Sequence, residues 1–271
     1  MKAILQCCAL CIALWTGIAQ AQGNGKVEVL WLGQAAFKIT SPGGKVIVID
    51  PWLTANPLTP VQYKNLDALG KIDALLVTHG HGDHIGDAPA LARKHNIRAW
   101  MPGDLAQTLT TLGVLPAEQL PRFNKSGRVS PAAGIQVTAV KAEHSSVYVW
   151  NNPATSKNET HPGGEPVGYI IELENGFRIY HMGDTGLFGD MKLIAEYYKP
   201  DLVLAPIGGN FTMDPLDAAF AMRELMKPKF AIPIHYGANP LARGTAEEFR
   251  KAMDGASTRV FYLKPGEKAE F

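Results

Sequence analysis

Residues 78–84 read Thr-His-Gly-His-Gly-Asp-His, directly after the apolar run Ala74-Leu75-Leu76-Val77. Four metal-binding side chains, His79, His81, Asp83 and His84, fall within six positions. Imidazole and carboxylate are the usual donors to zinc and neighbouring transition metals. A turn rather than a helix is needed to bring donors this dense into two adjacent sites, and Gly80 and Gly82 supply the backbone freedom for it. A solvated loop that merely happened to be His-rich would predict no matching donors elsewhere. They are present: His144 after one strand-like run, Asp184 in Gly183-Asp184-Thr185-Gly186 after another, and His235 in Ile234-His235-Tyr236 at the end of a third. Each falls where a strand edge opens into a loop, as a site at one end of a sheet sandwich requires.

The cysteines carry a different message. All three, Cys7, Cys8 and Cys11, lie in the first eleven residues. That stretch begins Met1-Lys2, continues apolar to Ile18 and ends Ala19-Gln20-Ala21, the pattern of a secretory signal peptide cleaved after Ala21. The apolar run is short for a membrane span and is interrupted by Gln6 and Thr16. Residues 1–21 are therefore expected to be a signal peptide, and residues 22–271 a single domain released to the periplasm without stable membrane insertion. That mature chain has no cysteine, so neither a disulfide nor a thiol nucleophile nor a cysteine ligand is available to it. Its fold must rest on core packing and bound metal. With 46% hydrophobic and 19% charged residues the composition is that of a globular domain. The 26 basic and 25 acidic groups give a net charge of +1, with no basic block to attract nucleic acid.

Alternating or β-branched runs predict strands at 27–31, 36–39, 45–50, 74–77, 97–101, 135–140, 167–173, 177–181, 202–207, 230–234 and 259–263. Helical spacing predicts helices at 87–95 (with Asp87 as N-cap), 104–112, 191–198, 215–226 and 246–253. Glu174-Asn175-Gly176 is a hairpin turn. Residues 145–166 are polar and rich in Asn, Gly and Pro, and are expected to form a long loop, with Tyr148 and Trp150 making it the candidate substrate lid. Strands and helices appear in both halves, which is a mixed α/β class.

The H-x-H-x-D-H run followed by a distant His, Asp and His resembles the metallo-β-lactamase superfamily over nearly all of residues 26–271. Within it the chain is most similar to metal-dependent hydrolases related to ascorbate-6-phosphate lactonase. The carrying phrases are Leu32-Gly33-Gln34-Ala35, Val48-Ile49-Asp50-Pro51, Gly183-Asp184-Thr185-Gly186, Pro206-Ile207-Gly208-Gly209-Asn210 and Pro233-Ile234-His235-Tyr236. The resemblance implies an αβ/βα four-layer sandwich holding two divalent metals, zinc first, with manganese or iron as alternatives. It also implies a ligand set: His79, His81 and His144 for one metal, Asp83, His84 and His235 for the other, Asp184 bridging. Two such metals, about 3.5–4 Å apart, activate a shared water or hydroxide for attack on a carbonyl or phosphoryl centre. Asp83 and Asp184 thus enter as catalytic as well as ligating residues.

The remaining candidates have two readings each. Asp50 either hydrogen-bonds a ligand histidine or is a turn carboxylate before Pro51. Tyr236 either donates to a substrate oxyanion, as a third catalytic residue, or packs at a strand end. Asn210 and Phe211 either line the pocket or simply lead into the next helix. His181 is expected to face the core, and His95 and His161 the surface. The expected substrate is a small molecule, a lactone such as an acyl-homoserine lactone or sugar lactone, or a similar ester. A β-lactamase, or a phosphodiesterase or phospholipase, is the alternative. A diiron reductase is disfavoured because His81 is kept, and a decayed binding protein because every ligand position is filled. Homo-oligomerisation is left open.

Overall fold

The computed structural model describes residues 25–271. The expected signal peptide and the three cysteines lie outside the described residues. Strands follow the chain as β1 (Glu28–Gly33), β2 (Ala36–Thr40), β3 (Val46–Ile49), β4 (Ala74–Leu76), β5 (Ala99–Pro102), β6 (Arg122–Phe123), β7 (Arg128–Ala132) and β8 (Ile135–Lys141). Then come β9 (Val147–Asn152), β10 (Lys157–Pro162), β11 (Val167–Glu172), β12 (Arg178–His181), β13 (Leu202–Pro206), β14 (Phe230–Ile234), β15 (Arg259–Val260) and β16 (Lys268–Glu270). The helices are α1 (Val61–Lys64), α2 (Gly82–Ile85), α3 (Ala88–His95), α4 (Gly103–Thr111), α5 (Met191–Tyr198), α6 (Pro215–Phe220) and α7 (Ala246–Ala252).

Two seven-stranded sheets form, in the orders β16-β1-β2-β3-β4-β5-β6 and β15-β14-β13-β12-β11-β8-β7. The two sheets repeat one plan. Each begins as an antiparallel meander and continues in parallel strands, from β3 onward in the first and from β12 onward in the second.

The period-2 alternation of side chains sorts each strand between two cores. Val29, Trp31, Phe37, Ile39, Ile47 and Ile49 face the opposite sheet, where they meet Val137, Tyr169, Ile171, Leu204, Ile232 and Ile234. Leu30, Leu32, Val48 and Leu75 face outward, onto Leu91 of α3 and Leu105 and Leu109 of α4. On the other side Ile170, Tyr180 and Val203 meet Met191 and Ile194 of α5, Ala218 of α6 and Phe249 of α7. Three cores separate four layers, which is the expected helix–sheet–sheet–helix sandwich. Among the described residues, no helix is long and apolar enough to cross a membrane.

Local expectations differ in several places. Residues 145–166 are not a loop. Strands β9 and β10 pair antiparallel from Val147↔Pro162 to Asn152↔Lys157, outside both large sheets. The polar residues of β10 (Lys-Asn-Glu-Thr-His-Pro) hide the pairing from a reading based on β propensity. Asp87 stands at the N-cap of α3 as expected, but its side chain makes no cap bond; its carboxylate accepts from the backbone N–H of Leu53 (2.7 Å) and Thr54 (2.9 Å) and so pins the loop that follows β3. The helix expected over 215–226 widens into a π-helical stretch at Ala221–Met226. Three short strands, β6, β7 and β16, were not expected. They are edge pieces held by their neighbours rather than by their own sequence pattern.

Candidate metal centre

The sequence-singled residues leave the carboxyl ends of strands that run in one direction within each sheet. Asp50 follows β3, His79 follows β4, His144 follows β8, Asp184 follows β12 and His235 follows β14. Parallel strand ends open into a common crevice, the usual place for a ligand in such sheets. The 78–84 segment is only partly the turn expected. His81 precedes α2, and its carbonyl accepts from the N–H of both His84 and Ile85 at 3.0 Å, so Asp83 and His84 ride on a single helical turn. Neither glycine is in the left-handed region. Gly80 is needed for a close approach instead, because a Cβ there would lie 2.9 Å from the carbonyl oxygen of Val147.

The structure gathers seven donors into two groups, His79–His81–His144 and Asp83–His84–Asp184–His235. In the first, His79 Nε2 is 3.0 Å from His81 Nδ1, which is 3.3 Å from His144 Nε2. In the second, His235 Nε2 is 3.0 Å from Asp184 Oδ2 and 3.3 Å from Asp83 Oδ2. Asp184 joins the groups, with Oδ1 3.2 Å from His84 Nε2 and Oδ2 3.5 Å from His144 Nε2. His84 Nε2 and Asp184 Oδ1 are buried, adjacent, and yet without a hydrogen-bond partner. Buried polar atoms are otherwise nearly always satisfied. Donor atoms brought edge to edge, unbonded to one another, fit a cation between them.

Burial lowers the pKa of His79, His81 and His144, and neighbouring imidazoles lower it further, so these rings stay neutral and able to ligate. His84 and His235 behave oppositely. Burial opposes their charge, but Asp184 outweighs it, with help from Asp50 and Asp83 at His84 and from Asp83 at His235. His84 is raised well above the usual imidazole value, and His235 to about 9. Burial likewise opposes ionisation of Asp184 and Asp83, yet the facing histidines hold both below the carboxylate range.

Fixed partners orient the rings. Asp50 is wholly buried, and of its two readings the structure shows the hydrogen bond to a histidine: Oδ2 lies 2.8 Å from His84 Nδ1. An ionised carboxylate only accepts, so Nδ1 carries the proton and Nε2 points at the donor cluster. Thr78 donates its hydroxyl to Asp50 Oδ2 at 2.7 Å, and its oxygen lies 3.0 Å from His79 Nδ1, which fixes that ring in the same sense.

A cleft of about 530 Å³ opens over these groups, with Gln34, Trp52 and Phe211 in its wall beside Asp83, Asp184 and His235. Among the described residues, no Lys or Arg lines it. Of the two readings of Tyr236 the structure shows the packed one: its ring lies on Trp31 at 5.4 Å between the layers and does not line the cleft. Phe211 does line the cleft, while Asn210 does not. His181 is buried, 2.9 Å from the carbonyl of Ala35, as expected for a core ring. His95 and His161 are partly exposed and outside the cleft. Of the expected lid segment 145–166, Ser145 lines the cleft, while no residue of the hairpin β9–β10 does. The hairpin docks on α4, where Thr108 donates to the carbonyl of Pro162 at 2.9 Å and Tyr148 packs on the helix-side core. Gln34 and Trp52 were missed, since neither an amide nor an indole carries a metal-binding signal.

The sequence pattern of the beta-lactamase superfamily domain matches residues 45–236. A UPF0173 metal-dependent hydrolase of Polaromonas sp. strain JS666 is 65% identical over 274 residues, covering 100% of both chains. Another, from Roseiflexus castenholzii, is 42% identical and covers 88% of this chain and 95% of its own. Among solved structures, the metallo hydrolase Igni18 of the archaeon Ignicoccus hospitalis superposes with a TM-score of 0.77 at 33% identity, covering 91% of this chain and 98% of that one. An isothiocyanate hydrolase from Delia radicum gut bacteria shares the fold, with a TM-score of 0.67 at 17% identity over 90% of this chain and 98% of that one. The four-layer sandwich, the gathered His and Asp donors and these relatives agree: the chain belongs to the beta-lactamase superfamily, as one of its metal-dependent hydrolases.

Proposed function

We propose that the mature protein is a periplasmic two-metal hydrolase, with zinc as its leading metal, acting on a neutral lactone or similar ester such as an acyl-homoserine lactone or sugar lactone. The observation that carries the two-metal reading is the Asp184 carboxylate, which faces His84 with one oxygen and His144 and His235 with the other. His79, His81 and His144 would hold one ion, Asp83, His84 and His235 the other, and Asp184 both. When bound, such a pair supplies a water of lowered pKa and a Lewis acid for the carbonyl oxygen.

The chain's own groups do the rest. Burial keeps the first three imidazoles neutral. Asp83 is the carboxylate open to the cleft, with a third of its side chain exposed where Asp184 is almost covered. It takes the proton of the attacking water and carries it to the leaving oxygen. Among the described residues no Lys or Arg lines the cleft, which supports a substrate with no charge away from the reacting carbonyl, since a distal carboxylate such as that of a cephalosporin would find no side-chain cation there. Trp52 and Phe211 suit an apolar substituent.

The test uses the mature chain, residues 22–271, loaded with metal. Metal per chain is measured beside hydrolysis of an acyl-homoserine lactone, a sugar lactone, a phosphodiester and a cephalosporin, with Asp184→Ala in parallel. Near two metals, and lactone cleavage that vanishes in the variant, is the expected result. Cleavage of only the phosphodiester or cephalosporin would overturn the substrate class. Unchanged turnover in the variant would overturn the mechanism. Fusion of residues 1–21 to a reporter active only outside the cytoplasm tests export.

A further inference from the structure

The geometry points to Gln34 as the side-chain donor to the substrate's carbonyl oxygen, a role that rests on the hydrolase reading above. Gln34 is 1% exposed, in the left-handed region at φ 54°, on the loop between β1 and β2. Its carbonyl accepts from the indole of Trp31 at 3.0 Å and from the N–H of His235 at 3.1 Å, so the backbone is held from two sides. A non-glycine residue keeps such a conformation only where the surroundings impose it. What this placement achieves is to set the amide in the cleft wall.

The amide nitrogen lies 2.9 Å from Asp83 Oδ2 and 2.8 Å from His235 Nε2. Asp83 fixes its identity, because the amide oxygen at that point would face a carboxylate oxygen. One N–H donates to Asp83. The other faces His235 Nε2, whose lone pair is the one a metal would take. With that lone pair committed, the second N–H has no protein acceptor and stands at the cleft beside the donor groups. A carbonyl oxygen gathering negative charge there supplies the missing acceptor. Such a bond is stronger in the transition state than in the bound ester, so it favours turnover more than binding. Tyr236, the other candidate for the role, is packed on Trp31.

The experiment compares the metal-loaded mature protein with Gln34→Met, which keeps the length and removes the donor, and Gln34→Asn, which keeps the amide but withdraws it. Metal per chain, kcat and KM on a short acyl-homoserine lactone, and acetate affinity by calorimetry are measured. Acetate serves as a carboxylate that needs no turnover. The expected result is unchanged metal content, kcat lower by about 100-fold, KM within about threefold, and acetate affinity lower by about tenfold. Should Gln34→Met fail to fold, Gln34→Asn carries the comparison with the same outcomes. Wild-type kcat and acetate affinity in a folded variant would overturn the proposal. So would metal lost in step with activity, which would make Gln34 only an anchor for Asp83 and His235. A wild-type protein that holds metal but cleaves no ester would sink the hydrolase reading instead, and the acetate comparison would still decide for or against Gln34.

Discussion

Asp50 Oδ2 stands 2.8 Å from His84 Nδ1, with both side chains fully buried. The same carboxylate receives the backbone N–H and the hydroxyl of Thr78, each at 2.7 Å. One carboxylate thus orients a ring from each donor group, His84 directly and His79 through Thr78. Asp50→Asn keeps the shape and removes the charge. Loss of such an orienting group typically lowers metal affinity about 10–100-fold. Titration against a competing chelator measures it, and an unshifted midpoint would refute the orienting role.

Gly183 places Asp184. Its φ is +62°, and a Cβ would lie 2.8 Å from the carbonyl of Val167 and 3.1 Å from Thr78 Cβ. Gly176 shares the backbone conformation, at φ +82°, but has open space around it. Gly176→Ala should therefore cost only the left-handed penalty, about 1 kcal/mol, and leave metal content alone. Gly183→Ala should cost more and release metal. Thermal melts and metal analysis of the pair separate strain from collision; equal losses would show that the close approach is immaterial.

The hydroxyl of Tyr169 reaches from one sheet to the other, donating to the carbonyl of Val77 at 2.6 Å. Tyr169 is wholly buried in the core between the sheets. Tyr169→Phe should lower unfolding free energy by about 1–2 kcal/mol. Urea unfolding should show a lower midpoint with an unchanged slope.

The metal-free protein should be most stable near neutrality. His235 is raised to about 9, and His84 is raised too, so their stabilising charge is complete below the unfolded value of 6.5 and disappears as pH rises toward 9. His79, His81 and His144 are lowered, so their contribution is complete above 6.5 and disappears on acidification. Melting temperature after chelation should fall on both sides of about pH 6.5. A melting temperature flat from pH 6.5 to 9 would contradict the Asp184–His235 attraction.

Much of this was legible because the decisive signals are local. His144, Asp184 and His235 each end a run whose alternation marks a strand, so their convergence follows once those strands lie side by side. Gln34 was quoted within Leu32-Gly33-Gln34-Ala35 without a role, because its meaning comes from partners 49 and 201 residues away. Tyr236 has two readings in the sequence for the converse reason. Adjacency to His235 says nothing about which way a side chain leaves a strand end, and Trp31 claims its ring. The shared plan of the two sheets was invisible because it resides in strand order, while the residues that build it differ.

The pairing of β1 with β16 sets an order of assembly. Strand β1 gains its outer neighbour from Lys268–Glu270, some 240 residues later, and Val27 exchanges backbone hydrogen bonds with Phe271 at 3.0 and 2.9 Å. Until residues 268–270 have been made, that margin of the first sheet lacks the neighbour it has in the fold. A chain lacking residues 268–271 would leave it open for good, and an open margin invites another copy to fill it. Aggregation, rather than lost catalysis, is then the first defect to look for in chains shortened at this end.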